Sequence, residues 1–260
     1  MQIPNTEDEW RNVANDFSRR WQFPHCVGAL DGKHVAIVAP ANSGSLFYNY
    51  KHFFSVVLLA LVDANYKFLY VDIGCYGRSA DGGVFSNSTL SKALANNSLN
   101  VPEPESFEGI PNLPHVIVAD DAFALKSYIM KPYAVRGLTK AQRVFNYRLS
   151  RARRVVENAF GILGSRFRIF QKAISLPPQK VEKVVMAACC LHNFLMRDSN
   201  SQMTYVADLL ESGDNFQRTN NLSQQGGNRS TLSANETRDK FCTYFNSSAG
   251  AVSWQRDICI

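Results

Sequence analysis

The chain has 260 residues, of which 45% are hydrophobic, 12% aromatic and 19% charged, with a formal net charge of +6. This much apolar surface can form a sizeable core, so the composition excludes a chain that is disordered throughout. The longest nearly apolar run, residues 53–62, is far shorter than the roughly 20 residues of a membrane-spanning helix, so we predict no membrane span. No signal peptide and no Cys-x-x-Cys pair are visible, and we therefore expect reduced thiols in the cytosol or nucleus.

The positive charge is concentrated in one segment. Residues 131–170 contain ten Lys and Arg and one acid, Glu157, which gives this segment a net charge of +9 and leaves −3 for the rest of the chain. A solvated helix face usually mixes both signs, whereas an unbalanced basic segment is typical of a protein that binds a polyanion. Nucleic acid is the partner that this distribution favours.

In chain order, the first predicted element is a helix over residues 6–20, because Thr6 can cap it and its apolar residues recur at helical spacing. Three strands follow, each a run of β-branched and apolar residues bounded by turn residues. They are predicted over residues 26–39, 55–63 and 67–73. The next predicted elements are a helix over residues 84–98, a loop rich in Pro and Glu over residues 101–114 and a short buried strand over residues 115–119.

Two long helices are predicted after this strand, over about residues 146–164 and 178–196. The second contains His192, which we expect to be a hydrogen-bonded core residue. The pattern then gives four segments: a helical lead-in (1–24), a main domain (25–198), a low-complexity linker (199–240) and a C-terminal segment (241–260) that regains aromatic residues and can dock on the core. The order of elements predicts an α/β, ribonuclease-H-like domain with a central mixed β-sheet flanked by helices.

Four acids stand at positions that are unusual for solvated side chains. Asp31 precedes Gly32 after an apolar approach, Asp81 follows the third strand, Asp120 directly follows the buried strand, and Glu157 lies on the first long helix. An ionised carboxylate beside a buried strand is costly unless a cation accompanies it, which leaves Arg pairing or a divalent metal. We favour metal, because Mg²⁺ prefers carboxylate, water and phosphate oxygens and two such ions can assist phosphodiester hydrolysis.

The helix with Glu157 has a single apolar stripe. At 100° per residue this face is shared by Ala152, Val155, Val156, Ala159 and Leu163. Glu157 lies just beside the stripe, where it can serve a metal site. An ion pair with Arg153, one turn earlier, is the structural alternative that this helix leaves open.

Several long motifs resemble one known family. They are GALDGKHV (28–35), NYKHFFSVVLLALVDANYKF (49–68), GRSADGGVF (77–85), VADDAF (118–123), FNYRLSRARRVVENAFGILGSRFRIF (145–170) and LHN (191–193). Together they resemble the endonuclease domain of PIF/Harbinger-type DDE transposases, and in particular the Harbinger transposase-derived nucleases of animals. The resemblance extends from Trp10 to Met196.

The resemblance implies a DNA endonuclease that depends on Mg²⁺ or Mn²⁺ and hydrolyses phosphodiester bonds by a two-metal mechanism. Position by position, the metal-binding acids of the family fall on Asp31, Asp81, Asp120 and Glu157. By the logic of the ribonuclease-H fold, Asp31, Asp120 and Glu157 are the expected catalytic residues and Asp81 an auxiliary ligand. The positive residues expected to contact DNA are Lys33, Arg148, Arg151, Arg153, Arg154 and Arg166.

The family also implies a Myb/SANT-like DNA-binding partner protein that brings the enzyme to DNA and into the nucleus. We therefore expect a nuclear protein with a cytoplasmic fraction, and a homodimer is a further expectation. Relatives carry a helix-turn-helix-like region before the position of Trp10, so either the gene product is truncated or recognition of the DNA site is delegated. The competing interpretation is a domesticated, catalytically silent DNA- or protein-binding module that has kept its acids.

Overall fold

The computed structural model describes residues 2–197 and 231–255, so the predicted linker residues 199–230 and the final residues 256–260 lie outside the described residues. The strands are β1 (Cys26–Ala36), β2 (Ser55–Val62), β3 (Phe68–Tyr76), β4 (Glu105–Phe107), β5 (Ile110–Leu113), β6 (Val116–Val118) and β7 (Ile129–Met130). The helices are α1 (Glu7–Trp21), α2 (Asp81–Asn87), α3 (Thr89–Ala95), α4 (Lys140–Arg166), α5 (Pro178–Leu195) and α6 (Leu232–Asn246), and a 3₁₀ turn covers Arg168–Gln171.

Five strands hydrogen-bond in the order β3-β2-β1-β6-β7. β2 and β3 are antiparallel, whereas β1 and β6, and β6 and β7, are parallel. β4 and β5 form a separate antiparallel pair. The mixed sheet and its flanking helices confirm the predicted α/β, ribonuclease-H-like fold class.

The described residues divide into two compact units. The first unit contains residues 2–3, 31–92 and 155–197, and the second contains residues 4–30, 93–154 and 231–255. Each unit has its own buried core.

In the first unit, β2 is buried along its whole length and β3 packs against α5. The turn between β2 and β3 is bound to α5 by side chains. Nε2 of His192 lies 2.8 Å from the carbonyl oxygen of Tyr66, and Asn193 hydrogen-bonds both the N–H and the carbonyl of Phe68. His192 is 1% exposed, which confirms its prediction as a hydrogen-bonded core residue.

In the second unit, α1 buries the apolar face that its sequence predicts. Oγ1 of Thr6 accepts a hydrogen bond from the N–H of Glu9 and caps the helix. Trp10 and Phe17 are buried, and Nε1 of Trp10 donates to the carbonyl of Leu99 at 2.7 Å. The helix predicted over residues 6–20 is confirmed.

The C-terminal helix α6 also belongs to the second unit. The rings of Phe241 and Phe245 pack against Phe23, with centroids 5.4 and 5.0 Å apart. The helix begins after Thr231, whose Oγ1 accepts from the N–H of Ala234. Residues 232–240, predicted as linker, are therefore helical. The buried residues of this stretch are Ala234 and Thr237, so its sequence shows little of the apolar side that Phe241 and Phe245 form further along.

Three further differences have local causes. The helix predicted over residues 84–98 is two helices, because Ser88 is extended and its Oγ accepts from the N–H of Ser91, at the start of α3. Helix α4 starts earlier than predicted, because Thr139 and Gln142 form reciprocal side-chain to backbone hydrogen bonds, the capping-box arrangement. The loop predicted over residues 101–114 contains the β4–β5 hairpin, with Gly109 at positive φ in its turn.

Four histidines are partly or fully buried: His25, His34, His115 and His192. In the second unit, the rings of His25 and His115 stack with centroids 4.5 Å apart. Burial lowers the pKa of all four from the ordinary value of 6.5, and to about 4 for His34, His115 and His192. These side chains stay neutral in the folded chain at pH values where the unfolded chain binds protons.

We therefore expect the free energy of unfolding to fall as the pH is lowered from about 6.5 towards about 4. In this range the unfolded state takes up protons at these histidines and the folded state does not, so each group adds a slope of up to about 1.4 kcal/mol per pH unit. Urea unfolding curves measured across the range test this, and His115→Gln should make the dependence shallower. A free energy of unfolding that stays constant between neutral pH and about 4.5 would contradict the prediction.

Candidate active site

Strand β1 changes from buried to partly exposed at Asp31. Residues from Cys26 to Leu30 are buried, whereas those from Asp31 to His34 are partly exposed. Oδ1 of Asp31 accepts a hydrogen bond from the N–H of Gly32 at 2.8 Å, which orients the carboxylate. The strand thus carries Asp31 to the boundary of the core with its side chain fixed.

The carboxylate of Asp81 approaches the same part of β1. Asp81 is the first residue of α2 and is 7% exposed. A Cβ added to Gly32 would collide with the Asp81 carboxylate, whose Cγ would be 2.5 Å away. Because glycine has no side chain, the carboxylate takes up this space. Asp31 and Asp81 therefore both contact Gly32.

Asp120 lies directly after β6 in the second unit. Its Oδ1 accepts a hydrogen bond from the N–H of Ala122 at 2.9 Å, which fixes the carboxylate in a turn. One residue pair of the β1–β6 ladder is Ala29 with Val118, in parallel register. Asp120 follows Val118 by two residues, the same offset by which Asp31 follows Ala29.

Glu157 lies on α4 and is partly exposed. The apolar stripe predicted beside it is buried, at Ala152, Val155, Val156, Ala159 and Leu163. In the first unit, Nζ of Lys33 lies 5.8 Å from the ring centroid of Phe160, nearly one turn after Glu157. Lys33 follows Asp31 by two residues in β1 and so lies on the same face of the strand. The elements with Asp31 and Glu157 thus meet through Lys33 and Phe160.

Lys33 stands between charges of both signs. Burial lowers its pKa, and the positive charge of Lys51 acts in the same direction, whereas Asp31 acts to raise it. A lysine ammonium beside Asp31 gives this part of β1 a positive charge next to its carboxylate. The ammonium of Lys33 can attract a phosphate that the Asp31 carboxylate alone would repel.

In residues 2–197 and 231–255, no three His, Cys, Asp or Glu side chains are grouped closely enough to hold a metal ion. Asp31 and Asp81 fit a magnesium ion by the kind of ligand they supply, because proteins often bind Mg²⁺ through one or two carboxylates and leave its other positions to water and phosphate. The sharing of ions by Asp31, Asp120 and Glu157 stays a prediction.

Arg148 is buried, which contradicts its expected contact with DNA. Its side chain is among the largest fully buried ones, at 2% exposure. The guanidinium donates hydrogen bonds to the carbonyls of Gln22 and Gly250 and to Oε1 of Gln255, and it lies 4.4 Å from the ring centroid of Phe245. Burial lowers its pKa to about 10. Arg148 therefore holds the second unit together and has no surface for a phosphate.

The other predicted DNA-binding residues keep part of their surface. Arg154 is exposed, and Arg151 and Arg153 are partly exposed. The guanidinium of Arg151 lies 4.2 Å from the ring centroid of Trp254, an arrangement that fixes the side chain but leaves its edges accessible. Lys33 and Arg166 are also partly exposed. Contact of these residues with DNA stays a prediction.

A buried polar group that the sequence analysis did not identify lies beside β1. Oγ of Ser55 is 2.9 Å from Nδ1 of His34 and accepts a 2.9 Å hydrogen bond from Nδ2 of Asn49. Oδ1 of Asn49 accepts from the N–H groups of Lys51 and Phe53, a turn that asparagine favours. The turn had a local signal, whereas the pairing of Ser55 with His34, 21 residues away, had none.

Comparison with known protein families matches residues 30–193 to the DDE superfamily endonuclease. The matched segment makes up more than half of the chain and contains all four candidate acids. The chain belongs to this family. Endonucleases of the DDE superfamily generally use divalent metal ions.

Several curated proteins are similar to this DDE endonuclease chain. "Protein ALP1-like" of Arabidopsis thaliana is 29% identical over 248 residues, which cover 92% of this chain and 58% of that protein. "Putative nuclease HARBI1" of Bos taurus and of Homo sapiens are each 26% identical over 196 residues, or 74% of this chain and 52% of those proteins. These relatives confirm the resemblance to Harbinger-type transposases.

The chain spans just over half the length of these relatives. No solved structure matches it at a significant level. Within the described ranges, none of the helices combines the length and the apolar character that crossing a membrane requires.

We expect Gly32→Ala to destabilise the fold by about 1–3 kcal/mol, because the new methyl group would displace the Asp81 carboxylate from β1. Gly83→Ala, in α2, is the matched control: a Cβ there meets nothing within 4 Å, so stability should be unchanged or slightly higher. Urea unfolding midpoints measure both effects. The added cost should shrink in an Asp81→Ala background, and equal midpoints for the two glycine variants would contradict the prediction.

Arg148→Met should lower the free energy of unfolding by about 3 kcal/mol or more, since three acceptors lose their donor. The exposed Arg154 offers the control: Arg154→Met should change stability by less than about 0.5 kcal/mol but weaken DNA binding and reduce its salt dependence. Urea titration and fluorescence anisotropy with labelled DNA measure the two properties. If Arg148→Met kept normal stability but bound DNA more weakly, the expected contact of Arg148 with DNA would be supported after all.

Proposed function

We propose that this chain is a divalent-metal-dependent DNA endonuclease that hydrolyses phosphodiester bonds. The observation that carries the proposal is the match of residues 30–193 to DDE superfamily endonucleases, within which all four candidate acids fall. The similar human protein bears the name "Putative nuclease HARBI1", which supports the same activity here. The residues that would hold Mg²⁺ or Mn²⁺ are Asp31, Asp81, Asp120 and Glu157.

Two features of the chain support this assignment. Asp31 and Asp81 both contact Gly32. Ala29 and Val118 are partners in the β1–β6 ladder. Asp31 follows Ala29 by two residues, and Asp120 follows Val118 by two residues. When bound, a pair of divalent ions would supply Lewis acidity that activates a water molecule and stabilises the leaving oxygen, the two-metal mechanism.

The protein side chains have distinct tasks in this proposal. Asp31, Asp120 and Glu157 are the catalytic ligands and Asp81 is auxiliary, because it reaches β1 only through the space left by Gly32. Lys33, beside Asp31, attracts the phosphate of the substrate. The exposed and half-exposed arginines of α4 bind the DNA backbone further along.

The second candidate function is a DNA- or protein-binding module that has lost turnover but kept its acids. The exposed or partly exposed arginines of α4 are compatible with this candidate, because they can bind the DNA backbone without turnover. A nuclear location with a cytoplasmic fraction and a Myb/SANT-like partner are further parts of the proposal that rest on the family resemblance. A homodimer is a further expectation.

The proposal predicts that the purified chain nicks supercoiled plasmid DNA when Mg²⁺ or Mn²⁺ is added. Asp120→Asn and Glu157→Gln should each reduce the nicking rate by at least about 100-fold, because they replace ligands rather than residues that support ligands. The matched control is Asp121→Asn, which removes the neighbouring exposed carboxylate and should nick at the normal rate. Gel quantification of open-circular DNA gives the rates.

Two results would oppose the nuclease. Equal nicking by Asp120→Asn and the unaltered chain would assign the activity to a contaminant. No nicking with either ion, together with salt-dependent DNA binding, would support the binding module instead.

A further inference from the structure

Three tyrosines of the first unit expose much of their surface close to β1. Tyr48 and Tyr50, before β2, are 41% and 49% exposed, and Tyr76, the last residue of β3, is 47% exposed. Two exposed basic residues, Lys51 and Arg78, accompany them in the sequence. We call these five residues the tyrosine edge.

The turn that presents Tyr48 and Tyr50 is well fixed. Its backbone closes through hydrogen bonds from the N–H of Asn49 to the carbonyl of Phe53 (2.9 Å) and from the N–H of Ser55 to the carbonyl of Phe47 (2.8 Å). The side chain of Asn49 is 3% exposed and fills the turn from inside. The exposed rings therefore stand on an ordered support, which lowers the entropy cost of binding.

The turn is attached to β1 through His34. Besides its contact with Ser55, the His34 ring meets Tyr50 edge-on with centroids 5.5 Å apart and Phe53 at 6.2 Å. Tyr48 packs edge-on against Phe54 at 5.2 Å. These contacts hold one side of the tyrosine rings and leave the rest of their surface exposed.

Tyr76 is held against the same turn. Its ring meets Phe47 edge-on with centroids 5.1 Å apart. The next residue, Gly77, lies so close to the carbonyl of Phe47 and to Ser55 that a Cβ there would clash with both. The N–H of Arg78 donates to the carbonyl of Leu46. The end of β3 and the turn thus form one packed surface.

The tyrosine edge shares a face of β1 with Asp81. Gly32 and His34 are two residues apart in the strand, so their side-chain positions lie on the same face. The Asp81 carboxylate fills the position at Gly32, and the turn packs on His34. A DNA strand that reaches the Asp81 carboxylate therefore has the tyrosine edge next to it on this face of β1.

The charge of this surface suits a phosphate backbone. Nζ of Lys51 lies 5.4 Å from the ring centroid of Tyr50, so charge and ring are presented together. Lys51 and Lys33 lie close enough for their charges to influence each other. Exposed aromatic rings interleaved with positive charge are typical of surfaces that bind single-stranded nucleic acid.

We propose that the tyrosine edge binds single-stranded DNA, with unpaired bases stacked on Tyr48, Tyr50 and Tyr76 and phosphates at Lys51 and Arg78. In a duplex the faces of the bases are stacked on one another, so the rings can accept only bases that have left the helix. The inference rests on the proposed nuclease function and deepens it: the substrate at this site is DNA that is locally unpaired beside the bond to be cut.

The test measures binding of the full chain to a labelled oligothymidylate of about 12 nucleotides, to an abasic strand of the same length and to a duplex, with divalent ions chelated. We expect the oligothymidylate to bind about tenfold more tightly than the abasic strand. Tyr48→Ala with Tyr50→Ala should abolish this preference, and Tyr48→Phe with Tyr50→Phe, the matched control, should keep it because the rings remain.

Equal binding of the oligothymidylate and the abasic strand by the unaltered chain would overturn the inference, and so would a preference for duplex that the alanine pair retains. If the alanine pair fails to fold, Lys51→Gln should still weaken binding of both strands about equally, since it removes only a phosphate contact. A failure of the proposed nuclease function can be distinguished from a failure of this inference. A chain that does not nick plasmid but prefers the oligothymidylate would lose the nuclease assignment and keep the tyrosine edge.

Discussion

The close approach of the Asp81 carboxylate to Gly32 is the contact on which the candidate site depends. β1 is buried up to Leu30 and partly exposed from Asp31 onwards. The N–H of Gly32 binds the Asp31 carboxylate, and the missing side chain of Gly32 leaves room for the Asp81 carboxylate. Asp31 and Gly32 are consecutive in the strand, so their side-chain positions lie on opposite faces of β1. The missing Cβ at Gly32 makes room for the Asp81 carboxylate, and a divalent ion would find oxygen ligands whose positions the fold has already set.

After Gly32, successive side chains of β1 lie on opposite faces of the strand and contact different neighbours. Lys33 lies on the face that meets α4 at Phe160, and His34 lies on the face that meets the turn before β2. The side chain of Ser55 joins the turn to β1 through its contacts with His34 and Asn49. An irregular segment can therefore be as well ordered as the strand beside it, which is what a surface that contacts a flexible substrate requires.

Charge and periodicity predict different surroundings for the arginines of α4. The excess of positive charge in residues 131–170 marked the whole segment as a DNA surface. Arg148, however, precedes Ala152 by four residues and Val155 by seven, which places it on the buried stripe of the helix. Periodicity was thus the better guide to burial, and only the acceptors supplied by Gln22, Gly250 and Gln255 made a buried guanidinium tolerable.

The amino-acid sequence by itself determined the class of the fold, the order of its long elements, the buried stripe of α4, the core role of His192 and the family, because these follow from local periodicity and from motifs that are continuous in the chain. It did not determine which atoms meet across long separations. The contact of Asp81 with Gly32, the attachment of the turn to His34 and the helix α6 packed on Phe23 arise from packing between distant segments. Local propensity carries no information about such contacts, since their geometry exists only once the chain has folded.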